Sequence, residues 1–442
     1  MRFSMLLCLT IILGVVLPAT GQSREEKVRA DQKKVKAEGY WIYNNMQQGF
    51  DEAHKTGKPI LVVLRCIPCE ECVKLDEDLM EQDKHLKALL DQYVRVRLIS
   101  TNGLDLSLFQ YDYDQSFAVF LMNADKTIYG RFGTRSHRTL WSEDVSIKGL
   151  AKAMQGALIM HADFARYKQA LAAKRGSKPL FASPEKYPSL AGKFKSTLNQ
   201  QGNIVKSCIH CHQIGGAQRQ YYFNRGKKIP DNILFQYPHP KILGLILDPA
   251  EMATVKKVTA NSTAEKAGFK EGDEIVTLDN QPLLSIADVQ WVLHHAADTD
   301  KLQAEVKRKG KTIQLTLPLQ TGWRQRDDID WRVTTWAFRG NMAGGAVFES
   351  ATAKQRKQAG VNDNSQMALR IRSLGRYGKH AAARRAGFRE GDIVISYAGK
   401  TNLLRETDLL TYAVNAHQPG DKVSVTVYRK GKIINLRMPI QK

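Results

Sequence analysis

The first apolar run of the chain, Met5 to Leu17, is preceded by one charged residue, Arg2, and followed by the small residues Ala19, Thr20 and Gly21. That arrangement predicts a secretory signal covering 1–21, too short for a bilayer span. A charged leader (22–39, SREEKVRADQKKVKAEG) comes next, and Tyr40-Trp41-Ile42-Tyr43 through Ala53 reads as the start of a helix broken by Gly57-Lys58-Pro59. Ile60 to Leu64 is a continuous β-branched and aliphatic run, the signature of a buried strand. A helical stretch (VKLDEDLMEQDKHLKALL) and a strand over Val94 to Ile99 follow it. Phe117 to Met122 and Thr127 to Phe132 flank Asn123–Lys126 as a hairpin, and a further helix begins near Ser146. From Ser177 to Pro240 the pattern dissolves into Pro, Ser, Gly, Lys and scattered aromatics, which lack the material for an independent core.

Periodicity returns in the last part of the chain, twice. Ala267-Gly268-Phe269-Lys270-Glu271-Gly272-Asp273 recurs as Ala386-Gly387-Phe388-Arg389-Glu390-Gly391-Asp392, each followed by a strand, a turn and a helix. Both copies close alike, as Val306-Lys307-Arg308-Lys309-Gly310-Lys311 and Val427-Tyr428-Arg429-Lys430-Gly431-Lys432. Two copies of one module are therefore expected, separated by a Trp- and Arg-rich linker (321–344) whose Trp323, Trp331 and Trp336 are expected to pack across the seam. The chain of 442 residues is long enough for three or four domains.

The formal charge is +22, and removing 1–21 takes away only Arg2. In an exported chain so basic a surface meets no nucleic acid. With Lys and Arg spread along the chain and no long block it reads first as a generally solvated basic surface, and anionic envelope surfaces or an acidic redox partner are the specific contacts it would favour. No later stretch reaches about 18 apolar residues, so the mature protein is expected to be soluble and periplasmic or otherwise exported.

Chemistry concentrates in the cysteines. Cys208-Ile209-His210-Cys211-His212 spells C-x-x-C-H, the attachment motif of c-type haem, in which two thiols add to the vinyl groups and the histidine ligates iron. A disulfide or half of a zinc site are the alternatives, but zinc wants four ligands and no second C-x-x-C or H-x-x-x-H pair follows. Haem c, covalently held by Cys208 and Cys211 with His212 as proximal ligand, is the expected cofactor of a segment spanning 171–240, and its bulk would supply the missing core. His239, between Pro238 and Pro240, is the first choice for the second axial ligand, ahead of Met252 and His161. With Cys8 expected to leave with the signal, Cys66, Cys69 and Cys72 remain; an odd number cannot all pair within the chain, so one reactive or metal-bound thiol is expected.

Cysteines at the junction of a buried strand and a helix, after Lys58-Pro59-Ile60-Leu61-Val62, resemble the exported branch of the thioredoxin fold, over a domain placed at 40–170. By that resemblance Cys69 and Cys72 are the catalytic pair, with Cys66 and Cys69 as the rival register. A thiol at a helix N-terminus favours its thiolate, while Glu70 and Glu71 oppose it. Where thioredoxins place a cis-proline this chain has Ser116-Phe117, which puts ordinary disulfide exchange in doubt and leaves metal binding open.

The repeated module resembles PDZ domains of the Do-like/HtrA type, placed at 241–320 and 345–442. The resemblance implies peptide C-termini bound by strand addition, with Leu243-Gly244-Leu245-Ile246 and the helix from Ser285 to Ala296 forming one groove. Gly345-Ala346-Val347-Phe348 and the helix from Glu406 to Ala416 would form the other, and either groove could instead be filled by the chain itself. The whole order resembles a bacterial exported thioredoxin-like/PDZ family, some members of which carry selenocysteine. A multidomain chain is thus expected, α/β at the N-terminus and mainly β at the C-terminus. Its expected function is a redox protein transferring electrons or thiol/disulfide equivalents, its PDZ domains docking exported partners. The alternative is a non-catalytic envelope scaffold with structural or absent haem. Proteolysis is excluded by the lack of a trypsin-like domain or G-x-S-G-G string before the PDZ copies.

Overall fold

A computed structural model describes residues 23–65, 84–115, 117–134 and 145–442; the segment expected to be a signal, Cys66, Cys69, Cys72 and Ser116 lie outside them. Strands are numbered in chain order. The N-terminal sheet has the order β1-β3-β2-β4-β5, built from β1 (Ile42–Tyr43), β2 (Ile60–Arg65), β3 (Val94–Leu98), β4 (Phe117–Met122) and β5 (Ile128–Thr134). β1, β3 and β2 run parallel; β4 and β5 are antiparallel. All six residues of β2 and of β4 are buried, as expected where both faces are covered.

One face packs against the helix Ile147–Ala162 through Leu150, Ala153, Met154 and Ala157. The opposite face is covered by Phe50 and Ala53 of the helix Met46–Thr56 and by a long stretch that returns from further along the chain. Tyr187, Leu190, Ile209, Ile214 and Ala217 join Val62, Val96 and Phe120 in that cluster. The 171–240 segment thus packs buried side chains on the sheet, each fully buried aliphatic side chain contributing about 1.5–3 kcal/mol. One expectation is corrected. Tyr40–Tyr43 begins with an edge strand, not a helix, because Ile42 and Tyr43 pair in register with Val96 and Arg97.

The leader forms the helix Arg24–Glu38, capped by a Ser23–Glu26 capping box that satisfies two otherwise orphaned N–H groups. Its Glu25 carboxylate accepts from the N–H groups of Ile204 and Val205, and its Asp31 pairs with Arg65, the last residue of β2, at 2.6 Å.

The first repeat holds β6 (Leu245–Leu247) paired with β7 (Val255–Val258), and a sheet of order β11-β10-β8-β9, made from β8 (Glu274–Leu278), β9 (Gln281–Pro282), β10 (Asp300–Arg308) and β11 (Lys311–Leu319). The second is one sheet, β12 to β16 in sequence order: Ala346–Ser350, Leu369–Leu374, Ile393–Tyr397, Lys422–Arg429 and Lys432–Pro439. The repeated Asp has one job in both copies. Asp273 accepts from Lys270 N–H and pairs with Arg308 of the closing hairpin, which also donates to Gly268 O; Asp392 does the same with Arg389, Arg429 and Gly387. Between the repeats, Trp323 is buried in the first module's core, whereas Trp336 is half exposed on a helix, Thr335–Ala343.

The pieces are locked by buried charges. Asp288 of the helix Ile286–His295 pairs with Lys174 at 2.9 Å, both fully buried, and accepts from the N–H groups of Arg131 in β5 and Leu284. Arg332 pairs with Asp112 at 2.6 Å and Asp114 at 3.4 Å with no side-chain exposure. Burial acts against its charge, but the two aspartates outweigh it and hold the guanidinium above its ordinary value.

Candidate functional site

Cys208 ends a short helix, Ile204–Ser207, and Cys211 starts the helix Cys211–Phe223. Thr101 and Asn102, just beyond β3, hold the intervening turn. The Thr101 N–H and hydroxyl both donate to Ile209 O, at 3.0 and 2.8 Å. The Asn102 side chain accepts from Ile209 N–H at 2.8 Å and donates to Ser207 O at 2.9 Å. The Cys208 thiol lies 3.8 Å from Ile99 O, in a cluster with Val28 of the leader helix. Tyr111 donates its hydroxyl to Cys211 Sγ at 3.0 Å. Both thiols are unpaired.

Burial pushes the Cys208 thiol up to about 11 and also raises Cys211. Burial lowers His212, and it lowers His210 to about 4 with help from the neighbouring His212. Both rings are thus neutral at pH 7 and able to donate a nitrogen lone pair to a metal. The donor types suit the cofactor named by the motif: two uncrosslinked thiols and a neutral imidazole within five residues. His212 lines a cavity of about 830 Å³ shared with Lys193, Phe194, Gln213, Trp336 and His380. Neither sulfur is part of that lining; both are turned into packed protein.

The three candidates for a second axial ligand stand elsewhere. His239 is buried and its Nδ1 accepts the Lys241 N–H at 3.2 Å. His161 is bonded at both nitrogens, to Tyr129 Oη at 2.7 Å and Gly57 O at 2.8 Å. Met252 packs beside Leu284 against the other face of the sheet. None lines the cavity that His212 faces. His380, which sequence reasoning missed, does. Its ring stacks on Trp336 with centroids 4.8 Å apart, and its buried Nδ1 has no hydrogen-bond partner among the described residues. Nothing local in RYGKHAAARRAGF marks it, because the cavity exists only once the second repeat docks.

The topology brings Arg65, the last residue of β2, and the Cys208 turn to one end of the sheet. β2 and β3 are parallel neighbours in register, Leu64 opposite Leu98. Arg65 directly precedes Cys66, and Ile99, the carbonyl partner of Cys208, directly follows β3. Arg65 and Cys208 also meet the same leader helix one turn apart, at Asp31 and Val28.

In the first repeat Leu243, Leu245 and Leu247 are core residues, and Ile246 is partly exposed. Gly244 has φ +88°, and a Cβ there would meet Ser262 at 2.2 Å, so glycine is required. The chain before it runs along the groove helix: Tyr237 N–H donates to His294 Nδ1 at 3.3 Å, Gln290 donates to Tyr237 O at 2.9 Å, and the Tyr237 and His294 rings stack at 4.1 Å. In the second repeat Gly345 has φ +86° and a Cβ there would strike His380 O at 1.9 Å; Ala346, Val347 and Phe348 are buried in β12.

Comparisons with known proteins agree with this architecture. A thioredoxin-like family profile matches residues 41–124, and a PDZ domain profile matches 240–319 and 378–440. The serine protease Do-like HtrB of Bacillus subtilis (strain 168) is 46% identical over 70 residues, 15% of each chain. A probable periplasmic serine endoprotease DegP-like of Marinomonas sp. (strain MWYL1) is 26% identical over 189 residues, 42% of this chain and 36% of the relative. The chain thus spans about a third or less of the length of these relatives. Among solved structures, HtrA-type protease AlgWS227A with decapeptide aligns over 43% of this chain and 54% of its own, at 14% identity and TM-score 0.22. The fold is a thioredoxin-like N-terminal domain followed by two PDZ domains.

Proposed function

We propose that this is an exported redox protein that couples the chemistry of two cysteine groups, Cys66/Cys69/Cys72 and Cys208/Cys211, while its PDZ domains dock peptide termini of partner proteins. The observation that carries the reading is the position of Cys208. Its thiol rests on Ile99 at the C-terminal end of β3, next to the strand that leads into Cys66. Arg65 and Cys208, far apart in the sequence, share one sheet end, the end at which thiols in this fold find a helix N-terminus. The relatives named as periplasmic support export, and no described helix is long and apolar enough to cross a membrane.

In this reading Cys208 and Cys211 hold haem c through thioether bonds and His212 ligates its iron. Bound there, the haem supplies one-electron redox chemistry whose potential is set by axial ligation and burial. The chain itself orients the site. Thr101 and Asn102 fix the turn, Tyr111 sits on Cys211, and the sheet face keeps water from both sulfurs. A second reading, a haem-free PDZ scaffold, is favoured by the packed orientation of the two sulfurs. A denaturing-gel haem stain and visible spectrum of protein exported from a host with c-type maturation separates them. Covalent haem in the wild type, lost in C208A/C211A, is the expected result; no haem in the wild type makes the scaffold the better account.

A further inference from the structure

The second PDZ groove has two walls, β12 and the helix Glu406–Ala416, and the chain's own helix Thr335–Ala343 packs against both of them. Phe338 and Met342, one turn apart, sit in the same apolar cluster as Ala346 and Phe348 of β12 and Leu409, Leu410 and Ala413 of the groove helix. The polar groups a strand-adding peptide would need are taken as well. Gly345 N–H, in the loop that would hold a terminal carboxylate, donates to Arg339 O at 2.8 Å. Phe348 N–H, on the β12 edge, donates to Glu406 Oε1 at 2.9 Å. Glu406 in turn pairs with the Arg339 guanidinium, so one residue of the inserted helix engages the loop before the recognition strand through its carbonyl and the groove-helix carboxylate that caps Phe348 N–H through its side chain.

We propose that the helix Thr335–Ala343 is a built-in occupant of the second PDZ groove, latched by Arg339–Glu406, and that a partner's C-terminus gains this groove only by displacing it. The inference rests on the peptide-docking reading and adds its regulation. The first groove follows the same plan, since Tyr237, immediately upstream of that domain, occupies His294 and Gln290 of its helix. In each case the segment that enters the PDZ domain contacts its groove helix, a device suited to a covalently tethered array, where the occupant is always at high effective concentration.

A groove closed in nine-tenths or more of the molecules weakens apparent peptide affinity by about tenfold or more. The test is fluorescence polarisation of a labelled decapeptide with a free apolar C-terminal residue, and of its C-terminally amidated control, on the whole protein. Wild type is compared with R339Q/E406Q, a double change that removes the latch without stranding a buried carboxylate. The expected result is binding at least tenfold tighter in the variant, abolished by amidation. Equal affinity in both forms overturns the occupancy. Hydrogen exchange supplies the second measurement: saturating peptide accelerates exchange of the wild-type amides of residues 335–343, and binding without that acceleration likewise overturns the inference. If the variant releases residues 335–343 by exchange and still binds no peptide, the docking reading itself fails, because an open groove then refuses its ligand.

Discussion

Replacing Arg332 by alanine tests whether the thioredoxin-like domain, the cysteine-bearing helix and the PDZ domains form one unit. The guanidinium is wholly buried, pairs with Asp112 and Asp114, and donates to Gln236 O. Asp114 also accepts from the Thr334 N–H at 3.0 Å and hydroxyl at 2.8 Å, and Thr334 accepts from Arg219 of the helix that follows Cys211. Removing the cation leaves two carboxylates uncompensated out of water, a loss of about 3–5 kcal/mol for a buried pair. At an m-value of about 2 kcal/mol per molar urea, a loss of about 4 kcal/mol moves the unfolding midpoint of the seam down by about 2 M. Tryptophan fluorescence, reporting through Trp331 and Trp336 beside the seam, follows the transition. A companion, R332A/D112N/D114N, removes the stranded charges and is expected to recover more than half of the loss. A cost below about 1 kcal/mol for R332A, the range of exposed pairs, would refute the argument that this network is sealed and couples the parts.

Further outcomes follow from the same geometry. In haem-free protein, Cys208 reacts slowly with iodoacetamide at neutral pH and tenfold faster per pH unit, since a thiol at about 11 is ionised in roughly one molecule in ten thousand at pH 7; labelling at the rate of an exposed cysteine would contradict this. His294 is held well below its ordinary value, first by burial and then by His295. Its unfolded form therefore binds more protons, so the stability it contributes is complete above about pH 6.5 and is lost as pH falls below that. Thermal midpoints at pH 7 and pH 5 are expected to differ less in H294Q than in wild type, and an unchanged difference would remove His294 from the account. R308K and R429K each lose a forked Arg–Asp pair that lysine cannot reproduce, at a cost of about 1–3 kcal/mol and nearly equal in the two PDZ domains; a cost in only one of them would contradict the shared role.

The repeat was readable because its Asp and Arg lie at fixed points of a local motif and pair within the module. The sheet was readable because β2 and β4 are continuous apolar runs. Tyr40–Tyr43 was misread because a two-residue edge strand is set by its partner Val96–Arg97, not by its own pattern. Tyr187, Leu190, Ile209 and Ile214 show no period because the surface they cover belongs to strands far upstream. His380 and the helix in the second groove were hidden for a similar reason: both are defined by docking between domains. That either groove could be filled by its own chain was a possibility the motif raised, but which residues would fill it is a property of packing.

The most direct test of one redox unit at the sheet end is a potentiometric titration of the Cys208–His212 site in the whole protein, wild type beside C69S/C72S. Coupling predicts a midpoint shift of at least about 60 mV, the tenfold mark for a one-electron couple. Midpoints that coincide within error would mean that the two cysteine groups do not share redox chemistry.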